Sequence, residues 1–488
     1  MPSILKRRHS RLSKAERRHR RQRQIRKDRA VRRQLASLQA QLPRPVRVLA
    51  DVLGGAFTRA TALRFALLLP AALLTVGKHT LANLLRTLGP LVPGDPSSYR
   101  RVFSQRRWSS WRLAKLLLGW VVEHVLPAGP IFLAADDTVD EHRGKQVYGK
   151  GRHRDPVRST HSYTAFRWGH KWLVLAVLVR LPFTRRRWAL PVLVALYRSE
   201  EVNRRLGRRH KTPPDLLRQL LRVLLRWFPD RSFVCAADGN FATHDLARLA
   251  GSYPQRLTYL SHFYADANLY EPAPLVVGKK PSGRPRKKGR KLPSPAEVVK
   301  QTKQRQRLRV AWYGGGQRAV EVITGTGHWY QGGAPLMAVL WVWVHDCTGT
   351  HRDEYFFTTD LGWSAAQVIE TYTGRWNLET TFQEMRSYLG LETTCGWTER
   401  TVLRVAPCLF GLYTVVAGLY VQLPKHRRRV GLVAWLGKED VTFSDALTAV
   451  RRWLWVEWVF AIPGHTAAFA KLSRSFQHVL LAGLTPAA

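Results

Sequence analysis

Apolar positions recur at helical spacing through residues 46–53, 62–74, 81–88 and 111–125, which predicts several short amphipathic helices. Gly54-Gly55, Pro70, Gly89-Pro90 and the run Pro93-Gly94-Asp95-Pro96 punctuate them. From Pro130 the period changes. Ile131-Phe-Leu-Ala-Ala135, residues 172–179 and Phe233-Val-Cys-Ala-Ala237 are short continuous apolar runs, the pattern of buried strands. Helical spacing returns at 216–227 and 241–249, and 256–264 reads as extended. Strands alternating with helices predict an α/β layer. Residues 307–313, 319–323 and 336–344 read as further strands, cut by Gly314-Gly-Gly316, Gly325–Gly327 and Gly332-Gly333, and so predict an antiparallel β-rich insertion. The α/β pattern resumes with a strand at 354–358, a helix from Ser364 and one long helix over 372–389, and the chain ends in helical spacing.

These shifts divide the chain into a basic arm (1–45), a helical region (46–125) whose interspersed arginines suit a DNA-binding domain or a bundle with a basic outer face, the first part of an α/β core (126–270), a basic loop with the β-rich insertion (271–350), the second part of the core (351–425) and a C-terminal helical region (426–488). Residues 405–424 carry no charge and approach the ~20 residues that span a bilayer. Pro407, Gly411, Gly418 and Gln422 interrupt them, so we read a buried core helix and expect no membrane partner.

Charge changes the picture most. Lys and Arg total 79 against 33 Asp and Glu, a formal net charge of +46, which points to a polyanionic partner, nucleic acid being the commonest. The hydrophobic fraction of 45% excludes a disordered basic tail as the whole protein. Residues 1–36 hold 15 Lys or Arg against Glu16 and Asp28, a block expected to stay disordered until it meets a polyanion. Eight of the thirteen residues from Lys279 to Lys291 are basic, and Arg284, Arg286, Lys287 and Lys288 are its candidate DNA contacts. Basic residues also follow the first strand, at Lys145, Lys150, Arg152, Arg154, Arg158 and Arg167. The four cysteines form no Cys-x-x-Cys pair, so neither a disulfide framework nor a zinc site is expected, and a reducing cytoplasm fits.

At about 100° per residue, Tyr372, Arg375, Glu379 and Arg386 fall in one sector roughly 60° wide, beside an apolar stripe of Leu378, Phe382, Met385 and Leu389. Glu379 can ligate a hard cation while the arginines clamp phosphate oxygens. Asp137 and Asp238 each close a short apolar strand, at the sheet edge where open α/β folds place ligands. With Glu379 they would form a three-carboxylate site suited to two Mg²⁺ ions ~3.5–4 Å apart, with Mn²⁺ as a substitute. No Gly-x-x-x-x-Gly-Lys loop suggests nucleotide hydrolysis.

In these pieces the chain resembles the DDE-type transposases of bacterial insertion sequences, in the branch with a Tyr-x2-Arg-x3-Glu-x6-Lys signature. The matching residues are Asp136-Asp137-Thr138, Ala237-Asp238-Gly-Asn-Phe241 and Tyr372, Arg375, Glu379 and Arg386, continuing as Ser387-Tyr-Leu-Gly-Leu391. The resemblance covers about 100–425. It implies an α/β, ribonuclease-H-like core interrupted by a β-rich insertion, with Asp137, Asp238 and Glu379 as the catalytic metal ligands. By the family pattern the first ligand precedes Thr138, and strand alternation sends Asp136 to the opposite face. Tyr372, Arg375 and Arg386 would position phosphates, Arg386 standing where the family has Lys. The implied activity is Mg²⁺-dependent cleavage and strand transfer by a homodimer, on inverted-repeat ends and target DNA, in a bacterial cytoplasm at the nucleoid. A nuclease of the same fold without strand transfer and a non-catalytic DNA-binding protein remain as alternatives.

Overall fold

The computed structural model describes residues 14–155, 159–160, 162–274, 286–428 and 436–487. Six helices come first: α1 (Lys14–Ala40), α2 (Arg44–Gly54), α3 (Arg59–Leu74), α4 (Leu81–Leu88), α5 (Pro96–Ser104) and α6 (Ser110–His124). Strands β1 (Ile131–Glu141), β2 (Gly151–Arg154), β3 (Phe166–Arg180) and β4 (Arg187–Tyr197) follow. Then come α7 (Glu200–Arg205), α8 (Pro213–Trp227), β5 (Phe233–Ala237), α9 (His244–Gly251), β6 (Leu257–His262) and β7 (Leu269–Tyr270). Next are α10 (Pro295–Gln301), β8 (Gln306–Ala311), β9 (Gln317–Trp329), β10 (Met337–Asp346) and β11 (Glu354–Thr358). The chain closes with α11 (Ala365–Gly374), α12 (Asn377–Tyr388), α13 (Glu399–Gln422), α14 (Lys425–Arg428), α15 (Phe443–Leu454), α16 (His465–Ala470) and α17 (Arg474–Leu484).

One mixed sheet holds the molecule together, in the order β2-β3-β1-β5-β6-β11-β10-β9-β7, with β4 also on β3 and β8 also on β9. β4, β3 and β1 run antiparallel, whereas β1, β5 and β6 run parallel. Parallel neighbours need crossovers, which α8 and α9 supply on either side of β5. This is the expected α/β, ribonuclease-H-like class, with helical regions at both ends. The β-rich segment continues the core sheet: β10 pairs with β11 and β11 with β6, so the segment forms its far half. Its apolar alternation buries Val320, Val322, Val342 and Val344 against α11 residues Val368 and Ile369.

The basic arm corrects one expectation. Within the residues described, 14–40 form helix α1. No Gly or Pro interrupts it, its Arg, Gln and Ala are good helix formers, and Leu35, fully buried, docks it on the core with Val31 and Leu38.

The uncharged stretch lies in α13, the described helix whose length and composition could cross a membrane; two thirds of its apolar window is buried inside the fold. α13 packs on β4, α6 and α15. Arg451 of α15 is wholly buried and donates to the Leu73 carbonyl at 2.8 Å and the Thr75 carbonyl at 2.6 Å, tying the C-terminal helices to α3. A side chain at Gly418 would meet the Trp120 ring 2.4 Å from its Cβ. Gly418→Ala is therefore expected to cost about 1–3 kcal/mol by overpacking, read as a lower midpoint in urea unfolding.

The turn after β10 is organised by Asp346, whose side chain is 1% exposed. It accepts the N–H groups of Thr348 (3.0 Å), Thr350 (3.1 Å) and His351 (3.1 Å), and Arg318 reaches it at 3.1 Å. Burial would raise its pKa, but these donors and the Thr348 and Thr350 hydroxyls hold it well below the usual carboxylate range. A lowered folded pKa gives stability that is present above an unfolded pKa of about 4 and lost as pH falls further. Asp346→Asn should cost about 1–3 kcal/mol at pH 7. In denaturant titrations the gap to the parent protein should close below pH ~4.

Candidate active site

The first acidic position is set by register. β1 and β5 run in parallel with Ala135 opposite Ala237, so the next residues of each strand, Asp136 and Asp238, emerge side by side. The Asp238 N–H reaches back to the Ala135 carbonyl at 3.4 Å, and the Ser261 hydroxyl donates to the Asp238 carbonyl at 3.0 Å. Alternation along β1 turns Asp137 to the other face. There it pairs with Lys171 of β3 at 3.0 Å.

The predicted long helix is two. α11 ends at Gly374, and Arg375 and Trp376 carry the chain into α12. The turn keeps Arg375 above the strand ends. Its guanidinium bonds Asp136, lies 3.2 Å from Asp238 and 3.7 Å from Glu379, and is only 6% exposed. Three carboxylates from three elements thus converge on one cation, a local charge of −3 + 1 = −2 when all three are ionised.

The electrostatics follow from that imbalance. Burial, with Asp238 and Asp137 nearby, pushes Asp136 up to about 7 despite Arg375. Burial also raises Glu379, with Arg375 opposing and Asp238 assisting. Asp137 is raised chiefly by burial, against the pull of Lys171. Burial works against the charge of Arg375, yet Asp136, Tyr372, Asp238 and Glu379 together raise its pKa.

Not every predicted contact faces the site. Tyr372 is 1% exposed and packs against Phe356 and His262, with ring centroids 4.4 and 4.8 Å away. Among the described residues its hydroxyl and the Arg375 Nε have no hydrogen-bond partner. Arg386 bonds the Thr138 hydroxyl, the Val139 carbonyl at 3.2 Å and Glu392 at 3.2 Å. It clamps β1 just beyond the acids, and a planar fork can reach all three acceptors where an ammonium offers a point charge. Glu384 lies elsewhere, bound to Arg186 (2.8 Å) and the Tyr413 hydroxyl (2.6 Å).

Arg284 lies outside the described residues. Arg286 and Lys287 are exposed. Lys288 sits between the rings of Tyr270 and Tyr330, 4.1 and 4.2 Å from their centroids, and so is held by the protein. Trp329 is core, packed on His244, Phe263 and Phe357. On β3, exposed Phe166 and Trp168 carry Arg152 (3.9 Å) and Lys150 (5.6 Å) over their faces. Arg167 is engaged by Asp155 at 3.1 Å and Glu392 at 3.4 Å.

Among the described residues, one group of side chains could hold a metal ion away from these acids. Asp140, His142 and His170 bring their ligand atoms within 4.8 Å of one another, all buried. Short-range spacing could not show this, because Asp140 and His170 are thirty residues apart and meet only as opposite partners of β1 and β3.

A search of curated proteins returns no match. Among solved structures, the cryo-EM structure of a piggyBac transposase synaptic complex with hairpin DNA is similar over 92% of this chain and 83% of that one. Identity is 11% and the TM-score 0.39, too distant a likeness to build on. The family model for the DDE superfamily endonuclease matches residues 52–319, more than half of the chain and the part that holds Asp136, Asp137 and Asp238. The protein belongs to the DDE superfamily endonucleases.

Proposed function

We propose that the protein is a DNA transposase whose catalytic carboxylates are Asp136, Asp238 and Glu379. The observation that carries this reading is the convergence of three carboxylates on the single cation Arg375. Hard oxygen donors with uncompensated charge fit divalent cations of the Mg²⁺ or Mn²⁺ kind. When bound, such ions activate a water or hydroxyl and stabilise the leaving oxygen of a phosphodiester.

The chain's own part is positioning. The strand ends fix Asp136 and Asp238 side by side, while α12 brings Glu379 to the same guanidinium. Arg375 tempers the repulsion among the acids, and Tyr372 packs behind it, its ring centroid 5.3 Å from the guanidinium carbon. Arg386 holds β1 in place rather than touching DNA. The Phe166–Trp168 surface with Arg152 and Lys150, and exposed Arg286 and Lys287, suit a nucleic-acid backbone with bases to stack on. In this reading the substrates are the inverted-repeat ends of the element and a target duplex, held by a homodimer.

The test is joining. Purified protein is incubated with Mg²⁺, labelled DNA of the gene's flanking ends and a supercoiled plasmid. Labelled ends covalently joined to plasmid are expected. End cleavage without any joined product would reduce the function to that of a nuclease.

A further inference from the structure

We infer that Asp140, His142 and His170 form a three-ligand Zn²⁺ site, separate from the catalytic carboxylates. β1 carries Asp140 four residues past Asp136, about 13 Å along a strand, and pairs it with His170 of β3. His142 follows two residues later and reaches the same carboxylate. Asp140 is 0%, His170 2% and His142 7% exposed.

Two features make this a ligand set rather than an ordinary hydrogen-bonded cluster. The first is proton placement. The Nε2 of His170 lies 2.9 Å from the Tyr148 carbonyl, which can only accept, so Nε2 carries the proton. In the neutral ring, Nδ1 is then a bare lone pair, and it faces Asp140 Oδ1 at 3.6 Å. Two acceptors facing each other in a buried site call for a positive charge between them, a proton on Nδ1 or a metal ion. A histidine whose far nitrogen is tied to a backbone carbonyl is the usual state of a metal ligand.

The second is spacing. Zn–N and Zn–O bonds of 2.0–2.1 Å at tetrahedral angles separate ligand atoms by about 3.3 Å. The His142 Nε2 to Asp140 Oδ2 distance is 3.3 Å, and the three ligand atoms lie within 4.8 Å of one another. Two imidazoles and one carboxylate favour Zn²⁺ over Mg²⁺. The carboxylate is itself oriented by the His170 backbone N–H (3.0 Å) and the Trp172 indole N–H (3.2 Å), the outer contacts that fix a ligand's direction. The ion would pin the strand ends just beyond the catalytic acids, together with the loop bearing Tyr148.

The test uses the full chain and reads metal, not activity. The protein is purified without added metal, and its zinc is measured by plasma mass spectrometry before and after dialysis against a chelator. One zinc per chain is expected. Zn²⁺ returned to the stripped protein should raise its melting temperature by several degrees, and Mg²⁺ should not. Glu379→Ala should keep the zinc, and His142→Ala, the variant nearest the surface, should lose it while retaining the parent's circular dichroism. No retained zinc together with no thermal response to Zn²⁺ in the wild type would overturn the inference, whatever the variants do. Equal zinc in wild type and a His142→Ala, His170→Gln double variant would also overturn it, since the metal would then sit elsewhere.

Discussion

Asp136→Asn should lose Mg²⁺-dependent DNA cleavage by about 10³-fold or more, while Asp137→Asn stays within about tenfold of the parent protein. Loss of an outer-shell partner costs 10–100-fold, and a carboxylate that holds the cation itself should cost more. Both aspartates precede Thr138, and only the strand register separates them. Asp136 shares Arg375 with Asp238 and Glu379, whereas Asp137 points to Lys171 on the other face. Single-turnover nicking of a labelled duplex, at matched circular dichroism and DNA affinity, separates the two. The reverse ranking would return the first ligand position to Asp137.

The second large effect is on stability. Arg375→Gln should cost about 3–5 kcal/mol at pH 8, because it leaves three carboxylates with no buried counter-cation. The sign with pH follows from Asp136. Its folded pKa of about 7 lies above an unfolded value of about 4. The folded state therefore binds more protons, and stability falls as pH rises from 4 through 7. Without Arg375 that fall should steepen, so the variant's deficit shrinks at pH 5. Millimolar Mg²⁺ should also shrink it at pH 8, by occupying the place of the lost charge. Guanidinium melts at the two pH values, with chelator or Mg²⁺, measure all four conditions. A variant as stable as the parent at pH 8 in chelator would mean that Arg375 does not balance these acids.

The chemistry-bearing residue types were legible because each sat at a pattern boundary. Asp238 ends a five-residue apolar strand, and Glu379 stands beside an apolar helical stripe. Which of two adjacent aspartates faces the site was not legible, because alternation says only that they differ, and the partner strand decides which one wins. Sector geometry failed for Tyr372 because it assumed one helix across the Arg375–Trp376 turn. A charge count could not see that Leu35 and its neighbours dock the basic arm as a helix. Glycine punctuation located the β-rich segment, but its pairing through β11 to β6 is a long-range contact that local pattern does not encode. The Asp140–His170 pair was hidden for the same reason.

The most direct measurement is cleavage of the DNA that flanks the gene, with and without Mg²⁺, by the wild type and by Glu379→Ala. Nicks at the element boundary that require Mg²⁺ and vanish in Glu379→Ala are the predicted result. Binding of that DNA with no cleavage under either condition, or cleavage that survives Glu379→Ala, would contradict a catalytic site built on Asp136, Asp238 and Glu379.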